Sequence, residues 1–387
     1  MTFDPVQRAH SLAPIIRQHA DEADRERRLP APVAQAMARE GLYRVALPKE
    51  CGGPEVDPVT QIRTIEAVSQ ADGSAGWNLM IGIETFGLVA PLFKGRHEIL
   101  DDPMTIFCSS TAAVGRAVPV DGGYRIEGRW FFASGCHNSE WFAATVRTED
   151  DDPRQCYALL PKGDYRILDT WDVGGLRGSG SHDIEVTGSF VAASRISGHL
   201  GSSRVDSPLL RMPLGNRLAY NKVGVSLGIA RAAIDAFIDL ATLKTPFLSS
   251  QSLRQRPFAQ RAVAEAELRL RSSRALVFET TDVLWRNVLD GQPLDVKDRA
   301  MHIAACSDAA RACVDAVELV CEAAGTSANP RKSPLERMAR DVRVVRQHTT
   351  VAPHHIEDAG RVLLDLPAEG TALKDYVLLR PHREPKG

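Results

Sequence analysis

Residues 106–205 are β-prone and lie between two stretches that read as helix throughout. This order constrains the fold more than any single motif, because strands grouped apart from helices indicate segregated structural units. Within 1–105, segments 5–27, 31–41, 58–71 and 75–100 place apolar residues at i, i+3 and i+4 between Pro and Gly breaks. Strand-like runs follow at 105–110, 124–133, 141–147, 156–160 and 182–186, separated by Gly-Gly, Asp-Asp-Pro and Pro-Lys-Gly-Asp turns. Residues 203–217 read as a linker rich in Ser, Pro and Gly. Four long helical patterns then run at 218–243, 257–290, 295–324 and 334–364, built from the strong helix formers Ala, Leu, Glu and Arg. The expectation is a mainly α protein with a β-domain: an N-terminal helical domain over 1–105, a central β-barrel over 106–205 and a C-terminal four-helix bundle over 206–387. Joints between such domains are where a large planar cofactor is expected to bind.

Composition excludes several classes. A net charge of −2 across 387 residues gives no basic surface for nucleic acid. The seven cysteines are scattered without a CxxC pair, which suits free thiols in a reducing cytoplasm. The N-terminus shows neither a basic segment nor an apolar run of the kind that directs export. The most apolar stretch, 75–93, contains Asn78, Glu84 and several glycines, and reads as a buried helix rather than a membrane span.

The segment from Gly122 to Cys136 is the densest in chemistry. Asp121-Gly122-Gly123 is a hairpin signal. The strand after it carries Trp130, Phe131 and Phe132 and ends in Ala133, Ser134 and Gly135. Such a strand is either an ordinary aromatic core strand, or a surface that stacks a flat ring and offers the Ser134 hydroxyl to its heteroatoms. The glycine-rich run from Gly174 to Gly180 lacks GxGxxG spacing and leads into a strand, so it reads as a structural turn rather than a dinucleotide site. His354 and His355 are adjacent and point about 100° apart on a helix, and no HExxH or DxD occurs, so no metal site is expected. On a helical period His348 shares a face with Asp341, Val344 and Val345. It is a satisfied core residue or, if it meets a cavity, a neutral hydrogen-bond partner or proton acceptor.

Taken together, these residues resemble the acyl-CoA dehydrogenase superfamily, and most closely its flavin-dependent monooxygenase branch. That branch is the group D two-component oxygenases, such as 4-hydroxyphenylacetate 3-hydroxylase oxygenases and dibenzothiophene monooxygenases. The resemblance rests on Ala71 to Trp77, Gly122 to Gly135, Gly174 to Val186, Glu322 to Thr326, and Pro334 through Arg337, Arg340 and Asp341 to His348. Each motif is weak alone, but their order and spacing are specific. True dehydrogenases of the superfamily carry a glutamate base after the Arg-Asp of the last long helix. Here that place falls at Thr349, and a threonine is no base for a thioester α-proton.

The resemblance implies an oxygenase component. Reduced flavin (FMNH2 or FADH2) arrives from a separate flavin reductase and meets oxygen to form a C4a-hydroperoxide, which oxygenates a small aromatic, heterocyclic or heteroatom-bearing molecule. It also implies site residues. Ser134 stands near flavin N5, and His348 near the oxygen or the substrate. Ser110, Trp130, Phe132 and Ala133 stand around the ring. Arg256, Gly325 and Thr326 reach the cofactor across a subunit boundary, and Trp77, Glu84 and Trp141 line the substrate side. A homotetramer, as a dimer of dimers, is implied too. In one respect the chain departs from the pattern, since several members carry a histidine in the second long N-terminal helix. Here 81–86 has none; Glu84 is there instead and His97 lies beyond. Two other readings stay open at this point: an FAD-dependent acyl-CoA dehydrogenase or oxidase with a displaced base, and a flavin-binding protein without turnover.

Overall fold

A computed structural model describes residues 3–93, 98–198, 205–370 and 372–373. His97 lies outside the described residues. Helices dominate both ends, and their starts follow local chemistry. The side chains of Asp4, Asp57 and Asp72 cap α1 (Pro5–Ser11), α4 (Pro58–Ala71) and α5 (Gly73–Val89) by accepting backbone N–H groups that have no partner within the helix. Between them stand α2 (Ala13–Glu26) and α3 (Ala31–Arg39). The single helix expected over 5–27 is therefore two, broken at Leu12 just before Pro14. The apolar helix α5 ends at Val89 and tightens into a 3-10 turn, Ala90–Phe93, around Pro91. Gly73–Phe93 is apolar and long enough to cross a membrane, but most of it is buried inside the protein.

Six strands form one mixed sheet: β1 (Phe107–Val120), β2 (Gly123–Trp130), β3 (Trp141–Thr148), β4 (Gln155–Pro161), β5 (Arg166–Leu168) and β6 (Asp183–Ala192). Their order is β4-β3-β1-β2-β6-β5. The hairpin turn is as expected, with Val120 paired to Gly123 and Gly122 at a φ of 74°. β1 is far longer than the expected 105–110, because its second half is the other arm of this hairpin. The expected barrel is corrected, since the sheet does not close. β1 pairs parallel with β3, and among the described residues β4 meets the segment after β6 through an isolated bridge, Ala158 to Ile196, and hydrogen bonds between Tyr157 and Ser197 rather than a strand ladder. Alternation divides the sheet's faces. Phe107, Ala143, Tyr157 and Leu159 join the helical core, while Cys108, Phe142, Leu160 and Ile184 make a separate core with Trp130.

A short helix, α6 (Pro208–Arg211), and the first turn of α7 (Leu214–Leu243) fall inside the stretch expected to be a linker. α7 packs on α4, α9 and α10, and α8 (Pro257–Leu289) lies along α9 (Val296–Ala324). The pattern at 334–364 is not one helix. α10 (Pro334–Arg346) stops, a 3-10 turn runs over Thr349–Val351, and α11 (His354–Leu363) follows after Pro353.

α10 also fastens the loop ahead of β6. Arg340 pairs with Asp24 of α2 and with Glu336, and donates to the Gly174 carbonyl at 2.6 Å. Asp341 is buried and accepts the Leu176 N–H at 2.6 Å. Gly175 packs on the α10 backbone, where an added Cβ would lie 2.4 Å from the Arg340 carbonyl oxygen. Arg340 and Asp341 thus clamp α2, α10 and this loop together.

Candidate active site

The site is built where α5, the loop after β2, the loop before β6 and the turn after α10 meet. β2 ends at Trp130, and 131–135 is loop rather than strand. Phe132 has a left-handed φ of 60°, and its ring is 60% exposed, edge-on to Trp171. That conformation is uncommon for a bulky side chain. Past it the chain folds inward. Ala133 donates its N–H to the His182 carbonyl at 2.9 Å, and Gly135 donates to the Ser179 carbonyl at 3.0 Å. Gly135 sits at a φ of 79°, with its missing Cβ position 2.7 Å from Asn78 Oδ1. A side chain there would push α5 away from the loop.

These contacts aim Ser134 into a chain of hydroxyls. Trp77 Nε1–H donates to Ser134 Oγ at 3.0 Å. Ser134 Oγ lies 2.6 Å from Ser181 Oγ, and Ser181 Oγ lies 2.7 Å from Ser179 Oγ. When the protons run from Ser179 through Ser181, two donors fill the lone pairs of Ser134 Oγ and its own O–H stays free to bind another molecule. Ser110 supports the same loop by donating to the Phe131 carbonyl at 2.5 Å. Ser179 and Ser181 were missed in the sequence, where the glycine-rich run reads only as a turn; the alternating Gly-Ser-Gly-Ser of 178–181 was the available signal.

His348 lies beside this chain. It has left α10 and caps the following 3-10 turn, with Nδ1 accepting the Thr350 N–H at 3.3 Å and facing Thr350 Oγ1 at 2.9 Å. The expected face shared with Asp341 and Val344 is therefore corrected. Its ring meets Trp77 edge-on at 5.5 Å. Burial, and then the Lys222 ammonium, hold His348 well below the usual histidine range. A neutral ring that accepts at Nδ1 carries its proton on Nε2, so His348 presents an N–H donor.

Glu84, two turns along α5 from Trp77, forms a buried ion pair with Lys222 of α7. Burial disfavours the charge on each partner and their mutual attraction opposes it. Glu84 thus pairs through one carboxylate oxygen, and its Oε1 is buried without a hydrogen bond. Trp130 is corrected as a pocket wall. It is fully buried in the sheet core, donates Nε1–H to the Thr145 carbonyl at 2.8 Å and stacks edge-on to Phe142. Gly115 opposite has no side chain because an added Cβ would fall 2.2 Å from the Trp130 ring. Trp141 opens β3 under the Arg195 guanidinium at 5.0 Å. Arg256 stands just ahead of α8 without a side-chain cap bond, and Gly325 ends α9 at a φ of 59°. Lys244 brings these two turns to one end of the helices: its carbonyl accepts the Leu253 N–H at 2.7 Å, and its ammonium donates to the Ala324 carbonyl at 2.9 Å.

The site thus gathers buried hydroxyls, a neutral imidazole donor and a bridging indole, and among the described residues no hydrogen bond or ion pair joins His348 to a carboxylate. The chain matches the family described as acyl-CoA dehydrogenase, N-terminal domain, over residues 11–95, and acyl-CoA dehydrogenase, C-terminal domain, over 222–353. It is 33% identical over 349 residues to an indole-3-acetate monooxygenase of Pseudomonas putida, covering 89% of each chain. It is 28% identical over 372 residues to the flavin-dependent monooxygenase, oxygenase subunit HsaA, of Rhodococcus jostii, covering 90% of this chain and 94% of that one. The crystal structure of a 3-HSA hydroxylase from a Rhodococcus superposes with a TM-score of 0.85 at 26% identity, covering 95% of this chain and 99% of that one. The chain belongs to the acyl-CoA dehydrogenase superfamily, in its flavin-dependent monooxygenase branch. The dehydrogenase alternative is not favoured.

Proposed function

We propose that the chain is the oxygenase component of a two-component monooxygenase. It takes reduced flavin, FMNH2 or FADH2, from a separate reductase and oxygenates a small aromatic substrate with O2. Bound reduced flavin supplies two electrons; one oxygen atom enters the substrate and the other leaves as water. The observation that carries this reading is the Trp77–Ser134–Ser181–Ser179 hydrogen-bond chain beside a neutral His348. Ser134 donates its O–H toward the flavin ring edge, and the buried surroundings keep water out. His348 acts as an Nε2–H donor to the oxygen side or to the substrate. Phe132, Ala133 and Ser110 shape the loop that borders the ring.

Arg256, Gly325 and Thr326 serve a neighbouring subunit's cofactor in a homotetramer, with α7–α10 forming its four-helix bundle. Support comes from the end of the helices where these residues lie. Leu243, Phe247 and Leu248, 86%, 93% and 92% exposed, flank Lys244 there, and a partner chain would cover them. The cytoplasm, where a reductase and reduced flavin are at hand, is the compartment we assign.

The test is a partition of oxygen. Wild-type protein with chemically reduced FMN or FAD, oxygen and aromatic acids is assayed for oxygenated product and for hydrogen peroxide. Substantial product supports the reading. Oxygen returned wholly as peroxide, together with bleaching of bound flavin by an acyl-CoA, would overturn it.

A further inference from the structure

His182 joins the loop that carries Ser134 to the end of α2 and to the corner at 169–171 between β5 and β6. It is buried, and its carbonyl and both ring nitrogens have partners. The carbonyl accepts the Ala133 N–H at 2.9 Å, the bond that turns the chain inward to Ser134. Nδ1 accepts the backbone N–H groups of Thr170 and Trp171, each at 3.2 Å. A ring nitrogen that accepts carries no proton, so the proton is on Nε2, which donates to the Arg27 carbonyl at 3.3 Å. The preceding residue, Ser181, is the middle hydroxyl of the chain that runs from Ser134 to Ser179.

These bonds fix Trp171. Its N–H is held by His182, and its carbonyl accepts from the Arg27 guanidinium at 3.3 Å. Its indole N–H donates to the Leu176 carbonyl at 3.1 Å, and its ring meets Phe132 edge-on at 6.1 Å. Phe132 is the left-handed residue two places ahead of Ser134. Such a conformation is costly for a bulky side chain and persists where the surroundings hold it. Trp171 reaches Phe132 from outside the Ser134 loop, so the position of that loop depends on the corner that His182 pins.

The arrangement works with a neutral imidazole alone. Protonation would place an N–H at Nδ1, facing the two amide N–H groups that it now accepts. Asp169 Oδ1 lies 3.5 Å from Nδ1, and a ring drawn to it would release Thr170 and Trp171. The other charged and titratable groups around the ring are Arg27, which pairs with Asp169 at 2.9 Å, and His137, whose ring lies edge-on at 5.1 Å. Arg28 and Lys162 stand beyond His137, and Asp183 pairs with Arg129. Burial holds His182 below the ordinary histidine range, against the pull of the Arg27 carbonyl and of Asp169.

We propose that His182 is a positioning residue for the oxygenation: as a neutral acceptor at Nδ1 it holds Trp171 against Phe132, and so keeps the Ser134 hydroxyl where the reaction needs it. It acts through Trp171 rather than on the reacting atoms. The inference rests on the oxygenase reading above for what Ser134 does, though not for what holds Trp171.

Amide hydrogen exchange on flavin-free protein tests the anchoring, and the share of oxygen recovered in product, with reduced flavin and an aromatic acid, tests its consequence. Wild type is compared with His182→Ala, which removes the acceptor, and with His182→Asn, whose side-chain carbonyl is an uncharged acceptor in the place of Nδ1. At neutral pH the Thr170 and Trp171 amides of His182→Ala are expected to exchange about tenfold or more faster, with more oxygen leaving as hydrogen peroxide, and His182→Asn is expected to restore both. Below the ordinary histidine value of about 6.5, wild type is expected to lose this protection, corrected for the intrinsic exchange rate, and with it the coupling, while His182→Asn keeps them. The Asp341 clamp on the same loop has the opposite sign, because the folded state holds that proton more tightly, so it does not mimic the loss. Equal protection of the two amides in wild type and folded His182→Ala overturns the proposal. So does a loss on acidification that His182→Asn shares, a result that needs no alanine variant. Faster exchange in His182→Ala with an unchanged partition of oxygen makes His182 merely structural and overturns it too. Wild type that never yields product, while the two amides still depend on His182, counts against the oxygenase reading and leaves the anchoring of Trp171 standing.

Discussion

The two ends of α5 handle buried polar groups in opposite ways. At the Trp77 end the hydroxyls of Ser134, Ser179 and Ser181 satisfy one another and the indole N–H, and His348 caps its own turn. At the Glu84 end the groups do not balance: Glu84 Oε1, Asn221 Oδ1 and Arg217 Nε are buried without hydrogen bonds. A satisfied network holds its geometry before anything binds, which is what a site for a transient oxygen species needs. An unbalanced one gains by taking up a complementary group. The contrast separates a preformed polar network from a region whose buried polar groups are left partly unmet.

The largest effect should come from breaking the ion pair at the unbalanced end. Lys222→Met leaves Glu84 buried and alone, which should cost about 3–5 kcal/mol in urea unfolding. The double change Lys222→Met with Glu84→Gln should recover most of that loss. If the single and double variants are equally unstable, the pair is not what holds this end together.

Next in size is a pH effect at the clamp. Burial, and then the nearby Asp72 carboxylate, push Asp341 up to about 7. The folded state therefore binds this proton more tightly than the unfolded chain does. Its contribution is fully present below about pH 4 and is lost as pH rises through 7, by roughly 4 kcal/mol at most. Asp341→Asn keeps an acceptor for the Leu176 N–H and should flatten stability between pH 4 and 7. An unaltered slope would show that Asp341 does not titrate there.

At the satisfied end, Ser134→Ala strands the Trp77 N–H and should cost about 1–3 kcal/mol. Its functional effect should be clearer: a larger share of oxygen released as hydrogen peroxide at similar flavin affinity. Unchanged coupling would remove Ser134 from the mechanism. Ser179→Ala, two hydroxyls further along, should uncouple less than Ser134→Ala, since it only loosens the direction of the chain. Equal uncoupling by the two would mean that the network acts as one unit.

Much of this was legible in the sequence where spacing alone carries the signal. The order of helices and strands and the Asp121-Gly122 hairpin turn came from periodicity and turn chemistry, while Ser134 and His348 were singled out through the family resemblance. What escaped was set by tertiary contact. The aromatics of 130–132 look alike in sequence, but Trp130 is swallowed by the sheet opposite Gly115 while Phe132 turns outward in a left-handed conformation. Helical periodicity carried the last pattern past His348, because nothing between Arg346 and Pro353 is a strong breaker; the ring's capping of its own turn ends it there. Glu84 was singled out, but its partner Lys222 lies far along the chain, and no local pattern links them.

Isotope tracing tests the central claim most directly. Protein loaded with reduced flavin is mixed with an aromatic acid and ¹⁸O₂, and the product is read by mass spectrometry. The account predicts one ¹⁸O atom per product molecule, with the second in water. Label found only in hydrogen peroxide, or product oxygen drawn from the solvent, would contradict it.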